Sequence, residues 1–308
     1  MIMHANHTLP AWYNALMLHK VLNFFELIKI EHTLFALPFA YLGMLLAAGG
    51  WPSWQQFVWI TIAMASARTL AMGTNRIADR VIDAQNARTA QRPLVSGRIG
   101  LKTAVGGTVI AALILILAAS QLGPLPLKLL PIAVIFLVGY SYTKRFTWLS
   151  HFVLGFTDGL APVGAWVAVR GSLFTMEDIP AWLLLATVTL WIGGFDLIYA
   201  CQDAEFDRSA GLHAVPAIFG IGPALKLARV CHGLMMVILL VLGVWLPLAA
   251  PYWLSWCAIS GLLVYEHRLV SPADLSRINI AFFNINIVIS AVLLIAVAGS
   301  LIMQKSGQ

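Results

Sequence analysis

Five oxygen-bearing side chains stand out in a chain that has few of them. Asn75, Asp79 and Asp83 recur every four residues within GTNRIADRVIDAQNARTAQRP (73–93), and Asp203 and Asp207 repeat that interval within YACQDAEFD (199–207). If the preceding helix runs on through each stretch, a spacing of four projects these side chains from one helical face. Only 13 acidic residues occur among 308, so two matched carboxylate faces at the ends of apolar segments point to one shared site. Hard divalent cations such as Mg²⁺ take oxygen ligands and bind a few carboxylates together with substrate phosphates. A metal-bound pyrophosphate is therefore the natural ligand for two such faces.

The elements that must position these groups are membrane helices. Hydrophobic residues make up 60% of the chain and charged residues 10%, and the mean hydropathy is +0.85, far outside the range of soluble domains. Apolar stretches of about 20 residues reach across a bilayer core. They predict an all-α, polytopic membrane protein of nine transmembrane helices, over 33–50, 55–78, 103–120, 126–143, 150–169, 181–202, 221–248, 252–268 and 279–303. The connections are short and no Ser/Pro-rich linker interrupts them, so 1–308 reads as a single membrane-embedded domain.

Charge placement orients the bundle. Fifteen Lys and Arg fall before the first span or in the even-numbered connections, against three (Lys128, Arg170 and Lys305) in the odd-numbered connections and at the C-terminus, with Arg68 inside a span. Because cytoplasmic loops carry the basic excess, the N-terminus and both acidic motifs are expected on the cytoplasmic side of the cell inner membrane. The net charge of +6 follows from that topology and does not argue for nucleic acid. The first twenty residues lack the basic leader, apolar core and cleavage site of a secretory signal. Residues 22–35, LNFFELIKIEHTLF, mix apolar and charged types; an interfacial segment and the polar lower end of the first span are both open readings. Cys201, Cys231 and Cys257 have no ligand spacing, so no disulfide or metal is assigned to them.

Secondary features surround the motifs. The first is followed by RTAQRPL (88–94) and the second by GLHAVPA (211–217), four spans apart, as two related four-helix units plus one helix would give. Arg68, Asp158 and Asp196 lie within spans, where ionisable groups face the bundle interior. Arg68 precedes Asn75 by seven residues and Asp196 precedes Asp203 by seven, each two turns deeper on its motif's face. An Arg68 to Asp196 ion pair behind the site and direct substrate contact both stand open. Tyr199, four residues before Asp203, is a candidate donor to phosphate or π partner of a cation, with an interfacial Tyr as the plain alternative. Asn284 and Asn286 read as interhelical hydrogen-bonders rather than ligands. Charge bias alone accounts for Arg80, Arg98 and Lys102.

NRIADRVID with RTAQRP downstream, YTKRF (142–146), and YACQDAEFD followed by GLHAVP together resemble the UbiA superfamily of intramembrane aromatic prenyltransferases, from the first span to the last. The pattern is most similar to 4-hydroxybenzoate polyprenyltransferases and to a branch acting on 1,4-dihydroxy-6-naphthoate in menaquinone synthesis. The former often carry Asn-Asp where this chain has Asn75-Arg76, which is more like the latter. The resemblance implies transfer of a polyprenyl group from polyprenyl pyrophosphate to an aromatic carboxylic acid, 4-hydroxybenzoate of ubiquinone synthesis being favoured. It implies one Mg²⁺ on Asn75, Asp79 and Asp83 and a second on Asp203 and Asp207, with Asp79 and Asp203 essential to catalysis. It further implies phosphate contacts from Arg88, Arg92, Lys144 and Tyr199, and an acceptor carboxylate on Arg145, whose guanidinium fork suits it. A haem O synthase-like farnesyltransferase shares the first motif and the RTxxRP tail but usually lacks the second motif. A secondary transporter is also polytopic, yet its site lies near the midplane on broken helices, whereas these acids gather at one end.

Overall fold

The apolar runs fold into helices. The computed structural model describes residues 22–306, with the backbone alone for 30–36; the first twenty residues, whose lack of a signal pattern is noted above, lie outside that range. Nine long helices follow in order: α1 (Ile30–Ala48), α2 (Trp54–Ala78), α3 (Leu101–Leu122), α4 (Pro124–Thr143), α5 (Ser150–Arg170), α6 (Ile179–Ala200), α7 (Ile221–Trp245), α8 (Ala250–Leu269) and α9 (Ile285–Ser306). Among the described residues there is no β-strand, only an isolated bridge between Ser271 and Asp274.

Each long helix coincides with a predicted segment to within a few residues. By length and hydropathy, seven of them (α2 to α7 and α9) are fit to cross a membrane among the described residues. The expected nine therefore stand at seven by this measure. In α1 the stretch whose side chains are described, Leu37–Ala48, is apolar but shorter than a full span, and α8 mixes its Leu and Ile with Tyr, Trp and Ser before a charged end at Glu266, His267 and Arg268.

Neighbouring helices pack in chain order from α1 to α7, and α4 also packs on α2. The series then runs through α8 and α9 back to α1, and α1 also packs on α5. Between lipid-facing helices the hydrophobic effect gives little drive, so close backbone approach at small residues matters. A Cβ on Gly43 of α1 would overlap the Pro162 carbonyl of α5, and one on Gly155 of α5 the Thr189 carbonyl of α6. The main buried cluster, with Phe39, Trp191 and Tyr252 at its heart, draws on α1, α2 and α5 to α9.

The helix does not run on unbroken through either acidic motif. α2 ends at Ala78; Asp79 sits at φ −90°, ψ 1°, and a short helix, Arg80–Gln85, follows. α6 ends at Ala200 and leads through a 3₁₀ turn, Cys201–Asp203, with Asp203 at φ −101°, ψ 3°, into Ala204–Ser209. Both aspartates thus occupy the sparsely populated bridge region, where active-site residues often sit. The N–H groups of Asp79 and Asp83 still bond four residues back, at 2.9 and 2.8 Å, so the motif keeps its spacing through the break. The Ala78 carbonyl accepts from Arg145 Nη2 at 2.9 Å, which satisfies a main-chain group at the break.

At the other end of the chain, residues 22–28 form a helix of their own rather than the lower end of α1. Lys29, at φ 52°, separates the two. Leu27 packs with Leu94, Ile99 and Ala104 at the head of α3, and Arg98 forks Glu26 at 2.6 and 2.7 Å.

Candidate active site

The two motifs are built around carboxylates matched to cations. Asp79 is 1% exposed, and it accepts from Asn75 Nδ2 at 3.2 Å, from Arg145 Nη2 at 2.9 Å and from Lys144 Nζ. Arg76 donates to Asn75 Oδ1 at 3.3 Å and to the Leu27 carbonyl at 3.4 Å, so it ties the motif to the 22–28 helix. Asp83, also buried, accepts from Arg92 Nη1 at 2.5 Å.

Asp203 is gripped from the far side of the sequence. Arg88 Nε and Nη2 reach its two oxygens at 2.9 and 2.5 Å, the two-pronged geometry that suits a carboxylate. Asn86 Nδ2 adds a third bond at 3.1 Å. Arg88 Nη1 donates to the Tyr199 hydroxyl at 2.9 Å, with its guanidinium carbon 5.2 Å from that ring's centre. Burial opposes the Arg88 charge, but the bond to Asp203, with the neighbouring Tyr199 hydroxyl and the Asp203 charge, more than offsets it and raises the pKa above its ordinary value. The loop after the first motif therefore fastens the second motif.

A cavity of about 760 Å³ opens on this arrangement. Asn75, Arg88, Arg92, Lys144, Tyr199, Asp203 and Asp207 line its charged part, and Phe39, Leu154, Ile192 and Phe195 its apolar part. Asp79 and Asp83 are buried beneath Lys144 and Arg92. Arg145 is engaged with Asp79 and with the Ala78 and Ser141 carbonyls at 2.9, 2.9 and 2.8 Å, and its guanidinium lies 5.1 Å from the Tyr142 ring.

The open expectation of an Arg68 to Asp196 ion pair is corrected. Arg68 Nη1 meets Asp158 Oδ1 at 3.3 Å, while Asp196 Oδ2 lies 2.7 Å from His151 Nδ1. α5 packs against both α2 and α6, so it offers each of them a nearer partner. His151 Nε2 accepts from the Val215 N–H at 3.1 Å; the ring proton then belongs on Nδ1, donating to Asp196. Arg68, Tyr140, Leu154 and Asp158 also line a second, largely apolar cavity of about 320 Å³ reaching among α2, α3, α4 and α5.

The donor set suits a hard divalent cation, being carboxylate and amide oxygens. As arranged, Asp79, Asp83 and Asp203 each face a Lys or Arg, and among the described residues no three His, Cys, Asp or Glu form a metal-ligand group. A cation reaching these oxygens would have to displace those basic side chains. Sequence reasoning passed over Asn86, which bonds Asp203, and His151 and Phe282, which line the cavity. Asn86 stands two residues before Arg88 and was legible as part of the same loop. No spacing marks the others.

Comparisons with known proteins give the family and the fold. The pattern of the UbiA prenyltransferase family matches residues 36–288. A 4-hydroxybenzoate octaprenyltransferase of Aliivibrio fischeri (strain MJ11) is 29% identical over 266 residues, 85% of this chain and 89% of that protein. The apo structure of a UbiA homolog from Aeropyrum pernix K1 is 31% identical, with a TM-score of 0.79 over 90% of this chain and 98% of that one. A UbiA homolog from Archaeoglobus fulgidus bound to DMAPP and Mg²⁺ shares the fold, with a TM-score of 0.63 over 88% of this chain and 99% of that one, at 19% identity. With paired acid motifs at the ends of α2 and α6 and a helical membrane bundle around them, this chain belongs to the UbiA prenyltransferase family.

Proposed function

We propose that this prenyltransferase moves a polyprenyl group from polyprenyl pyrophosphate to the ring of 4-hydroxybenzoate in ubiquinone biosynthesis, with Mg²⁺. One observation carries the reading: Arg88, on the loop after the first acid motif, holds Asp203 of the second, and both motifs border a single cavity that also has an apolar part. A pyrophosphate suits the charged part, and a prenyl chain suits Leu154, Ile192, Phe195 and the adjoining apolar cavity. The names of the curated relatives support the ring and donor classes, and the metal-bound homolog supports a divalent cation.

Mg²⁺ would be held by Asn75, Asp79 and Asp83 and by Asp203 and Asp207, and when bound it neutralises leaving-group charge. Lys144, Arg88 and Arg92, each on an aspartate and lining the cavity, would contact the phosphate oxygens, and the Tyr199 hydroxyl would add a donor. The allylic C–O bond breaks with its electron pair leaving on pyrophosphate. The ring carbon ortho to the hydroxyl supplies the pair for the new C–C bond and then loses its proton. Apolar walls keep water from the cation meanwhile. Arg145 has two candidate roles. Its fork fits the acceptor carboxylate, while its bonds to Asp79 and Ala78 favour support of the metal-binding aspartate.

A second reading, prenylation of 1,4-dihydroxy-6-naphthoate in menaquinone biosynthesis, is favoured by Asn75-Arg76, where Arg76 orients Asn75 through a 3.3 Å bond. The two acids competing for one labelled prenyl donor in membranes decide between them. Preference for 4-hydroxybenzoate is expected; clear preference for the naphthoate rejects the first reading.

A further inference from the structure

We infer that Asn286 is a positioning residue that sets the aromatic wall of the cavity, and that Phe282 is the face of that wall on which the allylic group rests. This deepens the prenyl-transfer reading above and rests on it.

α9 is entered through a π-helical turn, Ile280–Asn284. Such turns insert one residue into a helix and cluster at functional sites. Asn286 follows it and is fully buried. Its amide nitrogen donates to both the Ala281 and Phe282 carbonyls at 3.0 Å, and its oxygen accepts from Trp191 Nε1 of α6 at 2.5 Å. The amide nitrogen of that side chain thus holds the π turn, and its oxygen ties the turn to α6.

What the turn presents is Phe282. Its ring stacks on Tyr199 at 4.0 Å and 28°, and meets Phe195 edge-on at 5.2 Å and 82°; all three line the main cavity. Tyr199 in turn accepts from Arg88, which holds Asp203. A shift of the π turn is therefore transmitted to the aromatic wall and, through Tyr199, to the charged wall. An aromatic face stabilises a passing cation without offering it a nucleophile, and a close-packed wall excludes water. When the allylic C–O bond breaks, the cation is captured either by the acceptor ring carbon, giving the prenylated acid and a proton, or by water, giving the free prenol and a proton. Setting the wall decides the ratio.

The test uses the full chain in membranes with labelled geranyl pyrophosphate and 4-hydroxybenzoate, measuring prenylated acid against free geraniol. Asn286→Leu and Phe282→Leu should each raise the geraniol share about tenfold, the scale on which sub-ångström misplacement acts, with a smaller change in donor KM. Phe282→Tyr should recover most of the loss seen in Phe282→Leu. A variant that loses kcat with an unchanged product ratio has only a structural defect, and that result in both Leu variants overturns the inference. Should Asn286→Leu fail to insert, Phe282→Leu and its Tyr counterpart carry the test alone. Wild-type protein that consumes no prenyl pyrophosphate removes the transferase reading and this inference together. Active wild type with unaltered ratios in the variants removes only the inference.

Discussion

Asp79, Asp83 and Asp203 share their charge with Lys144, Arg145, Arg92 and Arg88; in the proposed reaction the same basic residues would turn from the carboxylates to the phosphate. Removing one buried carboxylate leaves its cations uncompensated as well as deleting an oxygen ligand. Asp79→Ala and Asp203→Ala are expected to lower prenyl transfer by about 100-fold or more, with membrane insertion intact, and EDTA should do the same to the wild type. Wild-type rates in both variants would rule out this site. Arg145 offers a sharper distinction. Its contacts predict that Arg145→Ala raises the Mg²⁺ concentration for half-maximal rate by about tenfold while acceptor KM changes less, with Arg145→Lys recovering only part because the fork is lost. A rise confined to acceptor KM would return Arg145 to the acceptor carboxylate.

Helices bring these residues together through contacts that leave no room for a side chain. Gly155 on α5 faces the Thr189 carbonyl of α6, whereas Gly164 on the same helix has open space at its Cβ position. Gly155→Ala should therefore destabilise the bundle by about 1–3 kcal/mol, and Gly164→Ala should not; thermal unfolding in detergent separates them, and equal melting of the two would contradict the packing described. The 22–28 helix has its own pH signature. Hydrogen bonding to Arg98, against a small cost of burial, holds the Glu26 carboxyl below its ordinary value of 4.5. A folded-state value that is depressed means the pair's contribution is complete above 4.5 and is lost as pH falls through the depressed value. Amide protection of residues 22–28 is expected to weaken in that acid window before the bundle does, and Glu26→Gln should abolish the pH dependence. Protection that is flat across the window would count against the pair.

For the whole molecule, the asymmetric Lys and Arg distribution and the gathering of both motifs at one end of α2 and α6 make a single orientation testable. With both motifs cytoplasmic, single cysteines at Ala90 and Ser209 in a cysteine-free background should be shielded from an impermeant thiol reagent in intact cells, and one at Ser172 should react. Labelling at position 90 from outside would invert the proposed topology. Among the described residues seven helices meet the test of length and apolarity, and with α1 and α8 they surround a cavity lined partly by the charged motif residues and partly by apolar side chains.

Composition and local period were enough to locate the long helices, the two acid motifs and their spacing, because apolar run length and an interval of four are properties of short stretches of chain. Which groups meet was decided by tertiary structure. Asp79 leaves the α2 helix where Lys144 and Arg145 hold it; Arg88 crosses to Asp203; Arg68 finds Asp158 rather than Asp196; and Asn286 ties a π turn to Trp191. Each of these pairings depends on which helices are neighbours in the closed bundle, and helix order in space follows from packing between distant segments that no local pattern records.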